Sequence, residues 1–189
     1  LSIALVGPSG SGKTTLLGIL GILFAPSEGR VLLDGAPIPS RAAARLRAAT
    51  FGWVFQGSNV LPSRSAAENA ALGLLARGAT AAAAARAARA TLDAVGIGHL
   101  AGRRANTLSG GELQRVCIAR AIAPAPRFIL ADEPTGQLDR GTTGVVIDAL
   151  VQNRPPQSSI VIATHDLDVA RRCDRILRLL DGRLVEDGP

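Results

Sequence analysis

Methionine and tyrosine are absent from the 189-residue chain, which also has only one tryptophan, four phenylalanines and two cysteines. Because so few aromatic rings accompany the arginines, the sequence lacks the stacking surface typical of proteins that bind single-stranded nucleic acid, and we expect no nucleic-acid partner. Cys117 and Cys173 stand in separate segments without metal-ligand spacing, which favours reduced thiols and a cytoplasmic location. No run of about 18 apolar residues occurs, so we expect no segment to span a membrane.

Lysine is almost absent as well. The net charge of +6 comes from arginines and from a single lysine, Lys13. The abundance of arginine and alanine indicates a general compositional bias, so the net charge does not by itself identify a partner. Lys13 is the informative exception. A compact ammonium fits inside a loop wrapped around phosphates, whereas a guanidinium is wide and planar.

Lys13 lies in GPSGSGKTT at 7–15, which matches the phosphate-loop pattern G-x-x-x-x-G-K-[ST]. A strand predicted at 1–6 and a helix predicted at 13–24 give the strand–loop–helix context that the pattern requires. We expect backbone N–H groups to surround the phosphates of a nucleotide, Lys13 to bridge the β and γ oxygens, and Thr14 to bind Mg²⁺. The predicted nucleotide-binding residues of this loop are Gly7, Pro8, Ser9, Gly10, Ser11, Gly12, Lys13, Thr14 and Thr15.

The rest of the chain alternates between apolar runs and helical segments, which predicts an α/β fold with a mostly parallel sheet flanked by helices. Further strands are predicted at 50–55, 128–131 and 159–164, with hairpins at 30–35 and 175–188. Helices are predicted at 41–47, 109–123, 141–152 and 167–173, and two or three more in the alanine-rich stretch 62–105. We therefore expect one domain over 1–189, with a core of 1–61 and 124–189 and a helical subdomain at 62–123.

Two adjacent carboxylates end the buried strand in FILADE at 128–133. Adjacent strand residues point to different sides, so Asp132 and Glu133 can perform different tasks. Next to a phosphate loop, we expect Asp132 to hold Mg²⁺, mostly through water, and Glu133 to orient and deprotonate the attacking water. Without that loop, such a pair would more often be a helix cap or a turn.

LSGGELQRVCIAR at 108–120 resembles the signature of the ATP-binding cassette family, and the resemblance covers essentially the entire chain. It implies the ABC ATPase fold, a P-loop NTPase core with a helical subdomain, and hydrolysis of ATP with Mg²⁺. It also implies a second cassette, because the signature of one subunit closes over the ATP held by another. The residues implied in that contact are Ser109, Gly110, Gly111 and Glu112, at a helix start that suits an anion.

Three further segments follow in the order of the family. Gln56 resembles the Q-loop glutamine, which senses Mg²⁺ and the γ-phosphate and faces a membrane-spanning permease. PTGQLD at 134–139 resembles the D-loop and implies that Asp139 lies at the dimer seam. His165 resembles the switch histidine, which would contact the γ-phosphate and Glu133. His99 has no such support and is expected on the surface, while Trp53 is expected in core packing.

Several stretches further resemble the group of lipoprotein-release, macrolide-export and cell-division cassettes: DEPTGQLD, FGWVFQGSNVLPSRSAAENA and DGRLVEDG. The chain departs from the common form of that group at Gln137, where asparagine is usual, and in the alanines of its helical stretch, so the cargo stays open. The family also stacks an aromatic residue on adenine upstream of the phosphate loop. We expect that residue to precede Leu1, and we expect this chain to bind nucleotide weakly and to discriminate poorly between ATP and GTP.

The expected function is an ATP-binding and ATP-hydrolysing subunit that powers an ABC transporter through ATP-driven closure of a homo- or heterodimer. We expect it on the cytoplasmic side, held at the membrane by the permease. The alternative is a non-transport cassette of DNA repair, translation or regulation. No heptad repeat separates Lys13 from Gly110, which argues against the DNA-repair class, and Glu133 with His165 argues against a regulatory subunit that does not hydrolyse ATP.

Overall fold

The computed structural model describes residues 1–186 and builds them around a six-stranded sheet. The strands are β1 Ser2–Val6, β2 Leu32–Leu33, β3 Ala36–Pro37, β4 Phe51–Val54, β5 Phe128–Asp132, β6 Ser159–Thr164, β7 Arg175–Leu180 and β8 Arg183–Glu186. The order in the large sheet is β4-β5-β6-β1-β7-β8, and every pair is parallel except β7 with β8. The predicted mostly parallel sheet is therefore confirmed. The separate β2–β3 hairpin turns at Asp34 and Gly35, which both have positive φ.

Helices cover the sheet and fill the middle of the chain. They are α1 Lys13–Leu20, α2 Ala43–Thr50, α3 Ala66–Leu75, α4 Ala81–Ala94, α5 Gly110–Ile122, α6 Arg140–Gln152 and α7 Leu167–Ala170. Residues 62–123, all of them described, hold α3, α4 and α5, and their only strand-like pairing is an isolated bridge between Ser65 and Arg104. Buried alanines let α3 and α4 pack closely, among them Ala70, Ala84 and Ala88.

The strand order decides where chemistry can occur. β1 lies between β6 and β7, and β5 lies on the other side of β6. Pairing of Val6 with Thr164 and of Asp132 with Ala163 aligns the carboxyl ends of β1, β5 and β6 at one edge of the sheet. Loops that leave this edge of a parallel sheet are the usual place for a ligand.

Helix α1 is shorter than the sequence predicted, because it ends at Leu20 and not at residue 24. The chain reverses after Gly21: Ile22 has a φ of 60°, and the Leu23 N–H donates to the Gly18 carbonyl at 2.7 Å. A Cβ on Gly18 would lie 2.0 Å from the Phe24 ring, so this glycine lets the returning chain pack on the helix. The predicted length was therefore wrong.

The other boundaries differ by smaller amounts. The structure ends α7 at Ala170 rather than at 173, shifts the predicted 41–47 helix to 43–50, and trims the predicted strand 50–55 at both ends. The last two residues of the predicted closing hairpin, 187–188, lie outside the described residues. Trp53 packs against the cluster around Leu17 and Leu130, which confirms its predicted place in the core.

A buried amide fixes the connection between the sheet and the helical part. Asn69 is fully buried; its Oδ1 accepts from the Leu61 N–H at 2.7 Å and its Nδ2 donates to the carbonyls of Leu61 and Ser65 at 3.0 Å. These bonds hold the segment before α3 against the helix, so that β4 and α3 are joined through an ordered loop. Among residues 1–186, no helix combines the length and apolar character needed to cross a bilayer.

Both cysteines pack in the protein interior. Cys117 is buried in α5, and Cys173 is half-buried after α7; neither forms a disulfide. Burial raises the pKa of the Cys173 thiol to about 11 and also raises the pKa of Cys117. Both thiols are therefore protonated at neutral pH and act as packing groups.

Candidate nucleotide site

The phosphate loop, residues 7–15, connects the end of β1 to the start of α1. Gly10 and Gly12 have φ values of 80° and 99°, a backbone conformation that residues with a Cβ rarely adopt. The Lys13 side chain is only 7% exposed, and its Nζ donates to the carbonyls of Gly7 at 2.8 Å and Pro8 at 3.1 Å. The ammonium therefore lies inside the loop, where two backbone carbonyl oxygens hold it.

Two features describe how this loop packs and which polar group it leaves without a protein partner. A Cβ on Gly7 would lie 2.4 Å from the Leu179 carbonyl oxygen and 2.7 Å from the Ser11 Oγ, so the loop closes tightly on β7. The Ser11 hydroxyl is buried and has no hydrogen-bond partner among the described residues. A buried polar group without a protein partner is available to a ligand, and phosphate oxygens at a helix N-terminus suit it.

Asp132 ends β5 directly beside the phosphate loop. The Thr14 Oγ1 donates to the Asp132 Oδ1 at 3.2 Å. Burial raises the pKa of the Asp132 carboxyl above its ordinary value, and the hydrogen bond from Thr14 opposes that shift. The nearby charge of Glu133 raises the pKa further, while that of Lys13 lowers it. A cation next to this carboxylate would favour its charged form.

Glu133 stands one residue past the strand in an unusual backbone conformation. Its φ is 44°, and its N–H donates to the Ala163 carbonyl at 2.9 Å. Its carboxylate pairs with the His165 Nδ1 at 2.9 Å and accepts from the Thr164 Oγ1 at 3.4 Å. Asp132 and Glu133 therefore contact different partners, as their adjacent positions predicted. Left-handed backbone at a non-glycine residue is uncommon and is concentrated at functional sites.

Lys13, Thr14, Glu133 and His165 line one cleft of about 500 Å³, which we call the phosphate cleft, whereas Asp132 lies beside it. A volume of this size is within the range of small-ligand pockets. Among residues 1–186, no group of three or more histidine, cysteine, aspartate or glutamate side chains is arranged to hold a metal. The cleft is lined by Ser9, Gly10, Gly12, Lys13, Thr14, Thr15, Gln56, Glu133 and His165.

Gln56, which follows β4, also lines the cleft. A Cβ on Gly136 would lie 3.3 Å from the Gln56 Nε2, so the amide reaches the turn that follows Glu133. The fold therefore brings the predicted Q-loop, phosphate loop, carboxylate and histidine together in one cleft. His99, for which no functional role was predicted, does not line the cleft and is exposed, as expected.

The signature segment, residues 108–114, does not line this cleft. Ser109 caps α5: its Oγ accepts from the Glu112 N–H at 3.4 Å, and the Glu112 carboxylate accepts from the Ser109 N–H at 2.7 Å. Hydrogen bonding from the Ser109 backbone N–H, and secondly from its side chain, holds the pKa of the Glu112 carboxyl below its ordinary value. Glu112 thus stabilises the helix start, whose exposed residues Ser109 and Gly110 face solvent.

Asp139 also lies outside the phosphate cleft. It is the N-cap of α6, exposed, and accepts at Oδ1 from the Thr142 N–H at 3.0 Å and at Oδ2 from the Thr142 Oγ1 at 2.7 Å. These two bonds hold the pKa of the Asp139 carboxyl below its ordinary value. The resemblance assigned residues 109–112 and Asp139 to a contact between two cassettes. Neither group lines the cleft of its own chain.

The sequence analysis did not predict a role for Gln114, a polar side chain near the site. Gln114 is only 3% exposed; its Nε2 donates to the Phe55 carbonyl at 3.2 Å and its Oε1 accepts from the Ser58 hydroxyl at 3.3 Å. It joins α5 to the loop around Gln56. A signal was present in the sequence, because Gln114 shares a helix face with the apolar Cys117 and Ile118, where a polar residue needs a partner.

Comparison with known proteins decides the family. The protein-family model described as ABC transporter matches residues 2–136 of this chain. The chain belongs to the ABC transporter family. This cassette is 49% identical to the lipoprotein-releasing system ATP-binding protein LolD of Anaeromyxobacter dehalogenans, an alignment that covers 98% of the cassette and 80% of LolD. The predicted resemblance to the lipoprotein-release group is confirmed.

Solved structures give the same result for the fold. The cassette matches a dimeric structure of MJ0796, a bacterial ABC transporter cassette, with a TM-score of 0.85 and 36% identity over 98% of this chain and 85% of that one. A dimeric post-hydrolysis state of MJ0796, bound to ADP and Pi, matches with a TM-score of 0.84 and 37% identity over the same shares. CbiO1 from Clostridium perfringens, part of the CbiONQ transporter complex, matches with a TM-score of 0.88 and 30% identity over 99% of this chain and 76% of that one.

These findings confirm the main functional prediction over the non-transport alternative. The cassette is the ATP-binding subunit of an ABC transporter, an ATPase whose hydrolysis is coupled to transport. The predicted α/β architecture, a P-loop NTPase core with helices on its sheet, is confirmed by the same structures. MJ0796 is dimeric in both of its matching structures, and CbiO1 is part of an ABC transporter complex.

Proposed function

We propose that this cassette binds ATP with Mg²⁺ in the phosphate cleft and hydrolyses it when two cassettes close face to face. The observation that carries the proposal is the position of the Glu133 carboxylate. It lies at the phosphate cleft, held by His165 at 2.9 Å, one residue from the carboxylate that contacts Thr14. A base, an orienting group and a cation site thus surround the place where a terminal phosphate would react.

The phosphates of the substrate would lie in the phosphate loop. Backbone N–H groups of residues 9–15 and the N-terminus of α1 supply partial positive charge there. Lys13 would bridge the β and γ oxygens, exchanging its present carbonyl partners Gly7 and Pro8 for phosphate oxygens. The buried Ser11 hydroxyl, which lacks a protein partner, supports this placement.

Thr14, Asp132 and Gln56 would hold Mg²⁺. Hydroxyl, carboxylate and amide oxygens are the donors that this hard cation prefers, and Thr14 and Asp132 already contact each other. When bound, Mg²⁺ neutralises negative charge on the β- and γ-phosphate oxygens. Asp132 would act mostly through water, because Mg²⁺ keeps part of its hydration shell.

Glu133 would act as the general base toward the attacking water. Its carboxylate is 15% exposed, so it meets few competing waters, while the His165 side chain is 69% exposed at the cleft mouth. His165 would hold the carboxylate through Nδ1 and leave Nε2 free to meet the γ-phosphate. The left-handed backbone at Glu133 fixes the direction of its side chain relative to Asp132.

The second half of each site would come from another copy. Ser109 and Gly110 are exposed at the start of α5, and the buried Gly111 follows them; all three lie outside the cleft of their own chain and would offer a hydroxyl and N–H groups. Such a helix start binds anions, so it would meet the γ-phosphate held by the opposing cassette. The cassettes would separate after hydrolysis, because the γ-phosphate contact is then gone. Asp139 would lie at the seam.

A test of the metal site uses Asp132→Asn, which keeps the shape of the side chain and removes its charge. The Mg²⁺ concentration for half-maximal ATPase activity is expected to rise roughly 10- to 100-fold, the range for groups that orient a metal through its outer ligands. ATPase assays across a Mg²⁺ titration measure this. Nucleotide binding in EDTA serves as the control and should not change. An unaltered Mg²⁺ titration would remove Asp132 from the site.

We further propose that residues 62–123 form a helical subdomain and that the groove beside it holds a membrane-spanning permease at the cytoplasmic face of the membrane. The groove lies between α2, β4 and α3 and has a volume of about 530 Å³. Its walls include Phe55, Asn59, Ala76 and Arg120, and it begins where β4 leads into Gln56. Because the relative LolD belongs to a lipoprotein-releasing system, we propose a permease and cargo of that class.

The permease proposal is tested with Ala76→Arg, which places a long cation in this groove. The variant is expected to lose co-purification with the permease, and the lipoprotein-stimulated ATPase activity in proteoliposomes, because its side chain fills the space for the partner. Ala90→Arg is the matched control, an exposed alanine on α4 outside the groove. Retention of the permease by Ala76→Arg would show that the partner binds elsewhere.

A further inference from the structure

The two glycines of the signature segment have different surroundings within their own chain. Gly110 is exposed, and a Cβ there would lie 3.6 Å from the Leu138 Cδ2, an ordinary contact. Gly111 is buried, and a Cβ there would lie 2.3 Å from the Thr142 Cγ2, which is far too close. The second glycine is therefore required by a neighbour in the same chain, before any partner is considered.

That neighbour, Thr142, also holds the carboxylate of Asp139. Its Oγ1 donates to the Asp139 Oδ2 at 2.7 Å, and its N–H donates to the Asp139 Oδ1 at 3.0 Å. Both carboxylate oxygens are therefore bonded to one residue. The methyl group of the same side chain points at Gly111, so a single threonine contacts the start of α5 on one side and the loop before α6 on the other.

Thr143, the next residue, provides a contrast. Its hydroxyl donates to the backbone carbonyl of Asp139 at 3.0 Å and not to the Asp139 carboxylate. It belongs to the same helical turn and has the same chemistry as Thr142. Any effect that comes only from a threonine hydroxyl at the start of α6 should therefore appear at both positions.

We propose that Thr142 is a positioning residue that ties Asp139 to the signature helix, so that the two segments meet the opposing cassette as one rigid surface. The inference rests on the proposed function, because it needs closure of two cassettes. It adds a residue that touches neither nucleotide nor the cleft. It also gives Gly111 an additional task in its own chain: to leave space for the Thr142 methyl group.

The first test compares three variants in a Glu133→Gln background, where the closed dimer should accumulate. Thr142→Val keeps the shape and removes the hydroxyl. We expect the ATP-dependent dimer to weaken about tenfold, the loss typical of one hydrogen bond to a charged group. Thr142→Ser keeps the hydroxyl and should stay within about fourfold, since only one methyl contact is lost. Thr143→Val should behave like the parent. Light scattering against ATP concentration measures all three.

The second test concerns the glycine. Gly111→Ala should weaken the dimer by more than about tenfold, because its Cβ collides with Thr142. Adding Thr142→Ser removes the Cγ2 atom that it meets, and the next Thr142 atom lies 3.7 Å away. We therefore expect the double variant Gly111→Ala/Thr142→Ser to recover most of the lost affinity. ATP binding to the monomer and thermal melting confirm that each variant folds.

The outcomes separate this inference from the function on which it rests. If Glu133→Gln alone forms no ATP-dependent dimer, the proposed function is wrong. If it dimerises and Thr142→Val dimerises equally well, Thr142 does not position Asp139. A double variant as impaired as Gly111→Ala would mean that the glycine is required by the opposing nucleotide, and the intrachain contact would then have no part in closure.

Discussion

Glu133→Gln is expected to lower ATPase turnover by roughly 10²–10⁴-fold, the usual contribution of a positioned general base. The amide has nearly the shape of the carboxylate and still accepts a hydrogen bond from Thr164, but it cannot take a proton from water. ATP binding should remain intact, because Glu133 lies beside the phosphate loop rather than within it. Steady-state phosphate release and equilibrium binding of ATP measure the two effects separately.

The same variant should accumulate a dimer in the presence of ATP and Mg²⁺, because closure occurs and the step that reverses it is slow. Size-exclusion chromatography with light scattering would show the dimer with ATP and the monomer with ADP. Glu28→Gln is the control, since Glu28 is an exposed carboxylate outside the cleft. Turnover by Glu133→Gln at the parent rate would exclude Glu133 as the base.

The second large effect is expected for Ser109→Arg, which should prevent formation of the ATP-dependent dimer. The exposed start of α5 would carry a long side chain, so the opposing cassette could not approach its N–H groups. In the Glu133→Gln background we expect complete loss of the ATP-dependent dimer. The affinity of the monomer for ATP should change by less than about twofold, because Ser109 does not line the cleft of its own chain.

Ser40→Arg is a matched control for this variant, because Ser40 is an exposed serine on the segment before α2. It should dimerise like the parent. The informative comparison is between formation of the ATP-dependent dimer and the affinity of the monomer for ATP. If Ser109→Arg abolished ATP binding by the isolated monomer, the signature segment would act within its own chain, and the proposed two-copy site would be wrong.

The sequence predicted the part of the site that lies in short, continuous segments. The phosphate loop at 7–15 and Asp132-Glu133 at the end of β5 were identifiable from their motifs at the ends of buried strands, and His165 was identified from the resemblance to the family. Parallel strands place their carboxyl ends at one edge of the sheet, which brings residues far apart in the chain together. The structure brings Thr14 to Asp132 and His165 to Glu133, which follows from the order β5-β6-β1.

What the sequence did not predict depends on contacts between elements. Helix α1 ends at Leu20 because Phe24 folds back onto Gly18, a tertiary contact that local propensity does not contain. The role of Thr142 could not be predicted because it depends on the distance between α5 and α6. The role of Gln114 could not be predicted because it depends on the position of the loop after β4. An aspartate three residues before a threonine is a common helix-capping pattern, but such a pattern does not reveal the contact between Thr142 and Gly111.

The central claim is that each ATP lies between two cassettes whose halves are separately incomplete. A crystal structure of the Glu133→Gln variant with ATP and Mg²⁺ tests it most directly. The account predicts a γ-phosphate that contacts Lys13 of one copy and Ser109 of the other, within hydrogen-bonding distance of both. A nucleotide enclosed by a single chain, with Ser109 of every copy remote from any phosphate, would contradict it.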